Sequence, residues 1–125
     1  MVPEDCKYAS THEWCRVEKE IVTIGVTEYA IKDIGDISYV ELPDEGDDVL
    51  TQIPFGELEG RQAVKDLLSP FDGTVAEVNA RVAHDPDILK SDPYDKGWLI
   101  RLRLERPVGD TDLLSASDYE RIIKQ

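Results

Sequence analysis

Basic residues are scarce in this chain of 125 residues. Lysine and arginine together number 14 against 27 acidic residues, so the formal net charge at pH 7 is −13. Such a charge repels polyanions and anionic membrane surfaces, which argues against nucleic acid and lipid headgroups as partners. We expect the partners to be larger proteins with basic or mixed surfaces. We also expect the chain to be a monomer, because like-charged copies repel each other.

Metal-ligating and reactive side chains are equally few. The two cysteines, Cys6 and Cys15, lack CxxC spacing, and the two histidines, His12 and His84, complete no zinc set. We therefore interpret the cysteines as small buried residues in a reducing compartment. The sequence also has no GxSxG turn, no HExxH helix and no Gly-rich phosphate loop. It thus predicts neither a catalytic site nor a metal site, and we do not expect an enzyme.

Long apolar runs are missing as well. No stretch approaches the length of a membrane span, and the first residues have neither the basic region nor the apolar core of a signal peptide. These absences predict a cytoplasmic protein without membrane association. The length predicts a single domain over residues 1–125. A composition of 41% hydrophobic and 33% charged residues is typical of a globular protein.

Short strands alternate with turns along most of the chain. The β-branched run Ile21–Val26 predicts a strand, and Thr27 is a plausible N-cap for a short helix that ends at Gly35. Alternation or apolar content predicts further strands, and a proline and an apolar stripe predict two more helices. The predicted strands are at 37–42, 75–78 and 98–104. One predicted helix begins near Pro86, and the other spans 110–124. This pattern favours a mainly β fold, a compact sandwich or barrel.

The centre of the chain predicts a hairpin. Residues 53–59 lead in, Gly60, Arg61 and Gln62 form the tip, and residues 63–68 lead out to Ser69-Pro70.

Five segments of the sequence resemble one family, the H protein of the glycine cleavage system. They are His12-Glu13-Trp14 and the segments 24–30, 34–43, 69–79 and 91–100, whose order and spacing agree from about residue 8 to residue 120. The resemblance implies a barrel-sandwich hybrid of the lipoyl/biotinyl type, with a carrier hairpin and a C-terminal helix. It also implies a shuttle without a catalytic site of its own. In that family a lipoyl group on a lysine at the hairpin tip carries an aminomethyl group between the glycine cleavage enzymes.

The lipoyl attachment motif departs from the family at the lysine itself. The family motif resembles Phe-Gly-Val-Val-Glu-Ser-Val-Lys-Ala-Ala-Ser-Asp, followed shortly by Ser-Pro. The residues in register are Phe55, Gly56, Glu59, Ala63, Asp66, Ser69 and Pro70. The lysine position is Gln62, whose amide nitrogen is no nucleophile because its lone pair is delocalised into the carbonyl. Gly60-Arg61 also stands where the family has Ser-Val. We therefore expect no lipoate on this chain.

Lys65 is the nearest alternative attachment residue. It lies three positions after Gln62, which along a strand moves a side chain roughly 10 Å and turns it to the opposite face. We interpret Lys65 as a solvated lysine beside Asp66 rather than as a lipoyl lysine.

Other positions of the family are retained. Thr11, Glu13 and Asp66 match residues that line the cleft holding the loaded arm, and Tyr29 matches a neighbouring polar site. These residues are compatible with a cleft that still binds a ligand. They are equally compatible with a purely structural role, in which Thr11 caps a turn that contains Glu13.

Three functions remain open at this stage. The first is an H-like protein without lipoate that acts in binding, assembly or regulation. The second is a carrier with atypical attachment on Lys65, or with a sulfur cargo on Cys6 or Cys15, which replace residues usually apolar in the family. The third is an orthodox glycine cleavage H protein. The partners would be enzymes of glycine cleavage or of a lipoate or sulfur pathway.

Overall fold

A computed structural model describes residues 2–106 and 113–124 of the chain. Its strands are β1 (Lys7–Tyr8), β2 (Glu13–Glu18), β3 (Ile21–Val26), β4 (Ile37–Glu41), β5 (Asp48–Val49), β6 (Gly56–Gly60), β7 (Val64–Leu67), β8 (Gly73–Val78) and β9 (Ile100–Arg103). Its helices are α1 (Glu28–Ile34), α2 (Ala80–His84), α3 (Asp87–Ser91) and α4 (Ala116–Ile123).

The strands form two antiparallel sheets. The larger has the order β1-β2-β3-β9-β8-β5, and the smaller has the order β4-β6-β7. Inward residues of both sheets meet in one of the core clusters, where Val26 of β3 packs with Leu58 of β6 and Leu67 of β7. The predicted mainly β fold with short helices and a C-terminal helix is therefore confirmed. None of the helices in the described ranges is long and apolar enough to cross a membrane.

Helix α1 follows the local signals in the sequence. The Thr27 hydroxyl accepts a hydrogen bond from the Ala30 backbone N–H, which satisfies one of the free donors of the first turn. At the other end Gly35 has φ +79°, a conformation that glycine adopts at low cost, and its N–H bonds the Ile31 carbonyl. Both predicted helix boundaries are confirmed to within one residue.

The other helices were located less well by the sequence. Helix α3 begins after Pro86 as expected. Helix α2 was not predicted, and its N-cap Asn79 makes no capping side-chain bond that would mark a start. The C-terminal helix begins only after Ser115, whose hydroxyl accepts from the Asp118 N–H. Residues 110–112 of the predicted helix lie outside the described residues.

Candidate functional site

The hairpin β6–β7 has its tip where the sequence predicts it. The Gly60 N–H donates to the Ala63 carbonyl at 2.9 Å, so Arg61 and Gln62 form the turn between the two strands. The tip does not project freely into solvent. The Arg61 N–H bonds the Asp36 carbonyl at 2.8 Å, and the Gln62 N–H bonds the Ile34 carbonyl at 3.0 Å. Two backbone bonds therefore fix the position of residue 62 against the end of α1.

The contact between the hairpin tip and the end of α1 depends on Gly60, a residue without a side chain. A Cβ on Gly60 would lie 2.1 Å from the Ile34 carbonyl oxygen, so any larger residue would push the tip away from α1. The Gln62 side chain lies over Gly35, since its Cγ is 3.2 Å from the place a Gly35 Cβ would occupy. Gln62 itself is exposed. The fold thus presents an accessible amide at a fixed point of the surface.

Lys65 lies on the opposite side of its strand from its exposed neighbours Val64 and Asp66. Its Nζ is 2.9 Å from Glu13 Oε2, 2.7 Å from the Thr11 carbonyl oxygen and 3.4 Å from the Asp66 carbonyl oxygen. The Lys65 side chain is 15% exposed and the Glu13 side chain is fully buried. An ammonium and a carboxylate are therefore paired where water has little access, and their attraction is stronger than at the surface.

Glu13 is held from several directions. Its Oε1 accepts a hydrogen bond from the Thr11 hydroxyl, and its Oε2 accepts one from the Leu68 N–H at 3.3 Å in addition to the Lys65 ammonium. No described buried side-chain nitrogen or oxygen lacks a hydrogen-bond partner. The carboxylate is thus a fully satisfied group that links β2 to β7.

Two interpretations from the sequence are wrong here. Lys65 is not a solvated lysine beside Asp66, because its ammonium is paired with Glu13 and mostly shielded from water. Glu13 does not lie in a turn capped by Thr11, because it is the first residue of strand β2. The partner that decides the position of Lys65 is 52 residues away in sequence, and no local pattern marks such a contact.

The predicted cleft residues converge only in part. Thr11 and Glu13 come together around Lys65. Asp66 contributes its carbonyl oxygen, while its exposed side chain belongs to the outer face of the small sheet, where it is the register partner of Glu57. Tyr29 contacts a different residue, since its half-exposed ring packs on the His12 ring with centroids 4.7 Å apart.

A hydrogen-bonded chain beside this group was not found from the sequence. His12 Nδ1 and Thr27 Oγ1 each lie 2.7 Å from the Tyr119 hydroxyl, which connects the turn before β2, the cap of α1 and helix α4. Burial lowers the pKa of His12, and the nearby Lys65 ammonium lowers it further. Tyr119 belongs to the apolar helical face recognised in the sequence, but its hydroxyl partners are more than ninety residues away.

Both cysteines are buried, as predicted. Cys6 is 2% and Cys15 is 1% exposed. Burial raises the pKa of the Cys6 thiol to about 11, and it also raises the pKa of Cys15. A thiol reacts as its thiolate, so these positions are poorly suited to carrying a sulfur cargo. Over the described ranges no group of three or more His, Cys, Asp or Glu residues could hold a metal ion.

Comparisons with known proteins agree with this fold along almost its whole length. A family model described as glycine cleavage H-protein matches residues 6–125. The glycine cleavage system H protein of Rubrobacter xylanophilus is 42% identical over 124 residues, which are 99% of this chain and 96% of that protein. The corresponding protein of Carboxydothermus hydrogenoformans is 40% identical over 125 residues, which are 100% of this chain and 96% of that protein.

A solved structure gives the same result for the backbone. The crystal structure of a glycine cleavage system H protein from Mycobacterium marinum superposes with a TM-score of 0.90 at 33% identity, covering 99% of this chain and 100% of that chain. The family model, the relatives and the superposition extend over nearly the full length of both partners. The chain belongs to the glycine cleavage H-protein family.

Proposed function

We propose that this protein is an H-protein homologue that carries no lipoate and acts as a binding, assembly or regulatory partner of larger enzymes. The observation that carries the proposal is the residue at the hairpin tip. Gln62 occupies the turn position at which the family motif has its lipoyl lysine. Amide formation needs a primary amine, and a glutamine side chain offers none. The residues present therefore do not fit covalent attachment of lipoate.

The surroundings of the tip support the same conclusion. Lys65 is the one lysine of the hairpin sequence 56–67, and its ammonium is already bound to Glu13 and two backbone carbonyls. A ligase would have to break these contacts and deprotonate the amine before an acyl group could be attached. Attachment at Lys65 would also leave the buried Glu13 carboxylate without its counter-ion.

The alternatives are a carrier with atypical attachment and an orthodox glycine cleavage shuttle. The first is weakened by the engaged Lys65 and by the burial of Cys6 and Cys15. The second is the function in the names of the relatives, and it requires the group that Gln62 cannot hold. The partners we propose are enzymes of glycine cleavage or of a lipoate or sulfur pathway, met in the cytoplasm, with no catalytic step performed by this chain.

Intact mass after expression in a host with active lipoylation and added lipoate tests the proposal. We expect the native chain to have the mass of its sequence. A lipoyl-sized increment, located by peptide mapping at Lys65 or elsewhere, would overturn the proposal. Activity of the native protein as the H component in a reconstituted glycine cleavage assay would overturn it as well.

The matched variant is Gln62→Lys, which restores the amine at a tip of unchanged backbone. A gain of lipoyl mass would assign the loss of the carrier role to residue 62 alone. If Gln62→Lys gains no lipoyl mass, Gly60 and Arg61 also belong to the changes that removed the site, since they replace the Ser-Val of the family motif. Either result agrees with the proposal, and only modification or carrier activity of the native chain contradicts it.

A further inference from the structure

A cavity of about 340 Å³ opens on the outer face of the large sheet. Three of its lining residues are register neighbours on adjacent strands, namely Arg16 of β2, Thr23 of β3 and Arg101 of β9. Neighbours of this kind project from the same face of a sheet. Thr23 and Arg101 alternate with the core residues Ile24 and Ile100, so the shared face is the outer one. The volume is that of a site for a small molecule.

Arg101 is held in place and still has donors to offer. Its Cζ lies 4.1 Å from the centroid of the Trp98 ring, and its Nη1 donates to Glu77 Oε2 at 2.8 Å. A guanidinium has five N–H donors, and among the described residues only Glu77 accepts from Arg101. The side chain is 35% exposed. Arg101 is therefore an oriented cation whose remaining donors are open to an anionic group.

Other polar groups of the cavity also lack partners. Within the part of the chain that the structure describes, the Thr23 hydroxyl makes no hydrogen bond, and the carboxylates of Glu18 and Asp95 make no ion pair. Both carboxylates belong to exposed residues that line the cavity. A cation with free donors, a free hydroxyl and two unpaired carboxylates thus meet around one small space.

These charges exclude simple ions as the best ligand. An anion would meet a protein of net charge −13 and the three carboxylates of Glu18, Glu77 and Asp95. A simple cation would leave the donors of Arg101 unused. A zwitterion offers a carboxylate to the donors and an ammonium to the carboxylates. Trp98 lines the same space, and its ring gives an apolar side chain a surface to cover.

We propose that this cavity binds a free α-amino acid with an apolar side chain. The carboxylate of the ligand accepts from Arg101 and from the Thr23 hydroxyl. Its ammonium donates to Glu18 and Asp95, and its side chain packs on Trp98. The proposal goes beyond the function proposed above, because it depends neither on the hairpin tip nor on lipoate.

L-leucine is the probe for the native full chain, because it has both charges and an apolar side chain. Sodium isocaproate has the same carbon chain without the ammonium, and isoamylammonium chloride lacks the carboxylate. In a 15N-labelled sample the indole signal of Trp98 and the Nε signal of Arg101 should shift saturably with L-leucine. At equal concentration neither salt should shift them in this way. The amide signal of Leu58, which lies in the core beneath the other sheet, is the internal reference and should not move.

Two arginines of the same strand provide a matched pair of variants. Arg101→Gln removes the partner of the ligand carboxylate, whereas Arg103→Gln changes an exposed residue of β9 that does not line the cavity. Followed at Trp98, we expect Arg101→Gln to weaken L-leucine binding by about tenfold, because a hydrogen bond to a charged group is lost. We expect Arg103→Gln to bind as the native chain does. If Arg101→Gln does not fold, Thr23→Val replaces it and should also weaken binding, since it keeps the shape of the side chain without the hydroxyl.

The double variant Glu18→Gln/Asp95→Asn tests the position of the ammonium. It should bind L-leucine less tightly and isocaproate more tightly than the native chain, because the acceptors of the ammonium and their repulsion of anions are both removed.

Four results would each overturn the proposal. They are the absence of a saturable shift with L-leucine up to its solubility limit, equal shifts with either singly charged salt, equal affinities of Arg101→Gln and Arg103→Gln, and unchanged binding by the double variant.

Discussion

Lys65 and Lys90 make ion pairs of nearly equal length in very different surroundings. Lys65 Nζ is 2.9 Å from Glu13, with side chains 15% and 0% exposed. Lys90 Nζ is 2.8 Å from Asp36, with side chains 68% and 67% exposed. Water and ions screen the exposed pair, whereas the buried carboxylate depends on its partner for solvation. At the scale of the residue, burial and not distance decides what each lysine contributes.

Removing the charge of each lysine while keeping its bulk tests this difference. We expect Lys65→Met to lower the free energy of unfolding by about 3 kcal/mol, because it leaves a buried carboxylate without a cation. The control Lys90→Met should cost much less, because the Lys90–Asp36 pair is exposed and screened by water and ions. Urea unfolding of both variants at neutral pH measures the two values. Equal losses would contradict the buried role of Lys65.

At the scale of the element, the small sheet has two faces of opposite character. Val40, Leu58 and Leu67 point into the core. On the outer face the register brings Glu41 beside Glu57, and Glu57 beside Asp66. Partial desolvation raises the pKa of Glu57, and repulsion from the neighbouring carboxylates raises it further. The outer face of this sheet is therefore an electrostatically strained surface in a protein that is acidic throughout.

Neutralising the middle carboxylate should relieve that strain. A group whose pKa is raised in the folded state stabilises the fold when protonated and loses this contribution as pH rises through the folded pKa. Because the raised pKa means that the folded state disfavours the ionised carboxylate, Glu57→Gln should raise the Tm at neutral pH, by less in high salt than in low salt. The control Glu77→Gln should not raise the Tm, since Glu77 is paired with Arg101 at 2.8 Å. A lower Tm for Glu57→Gln, read by differential scanning calorimetry, would contradict this account.

Sequence patterns predicted the elements better than the site. The strand Ile21–Val26, the caps at Thr27 and Gly35 and the hairpin tip at 60–62 all follow from local composition, and the structure confirms them. Helix α2 was missed because it is short and its cap makes no side-chain bond. The ion pair of Lys65 was missed because its geometry depends on how the small sheet packs against β2. Local preferences describe single segments, whereas the site arises from contacts between distant ones.

At the scale of the whole molecule, charge and apolar surface both act against self-association. The net charge is −13, and electrostatic repulsion reaches about 10 Å at 0.1 M salt. The exposed large hydrophobic side chains among the described residues are dispersed over strands, helices and a loop. They are Val17, Tyr29, Tyr39, Leu50, Ile53, Val64 and Ile122. A dispersed set offers little contiguous apolar area for a second copy to cover.

We therefore expect the full chain to sediment as a monomer of 14.1 kDa. Two copies in contact would bring like charges together, and scattered apolar side chains would recover little free energy in return. Sedimentation equilibrium at low salt and at about 0.15 M salt should give the same mass, because the exposed large hydrophobic side chains of the described residues are spread over several elements. A doubled mass at either salt concentration would contradict the expectation. For the proposed larger partners with basic or mixed surfaces, we expect association rates to fall as salt rises.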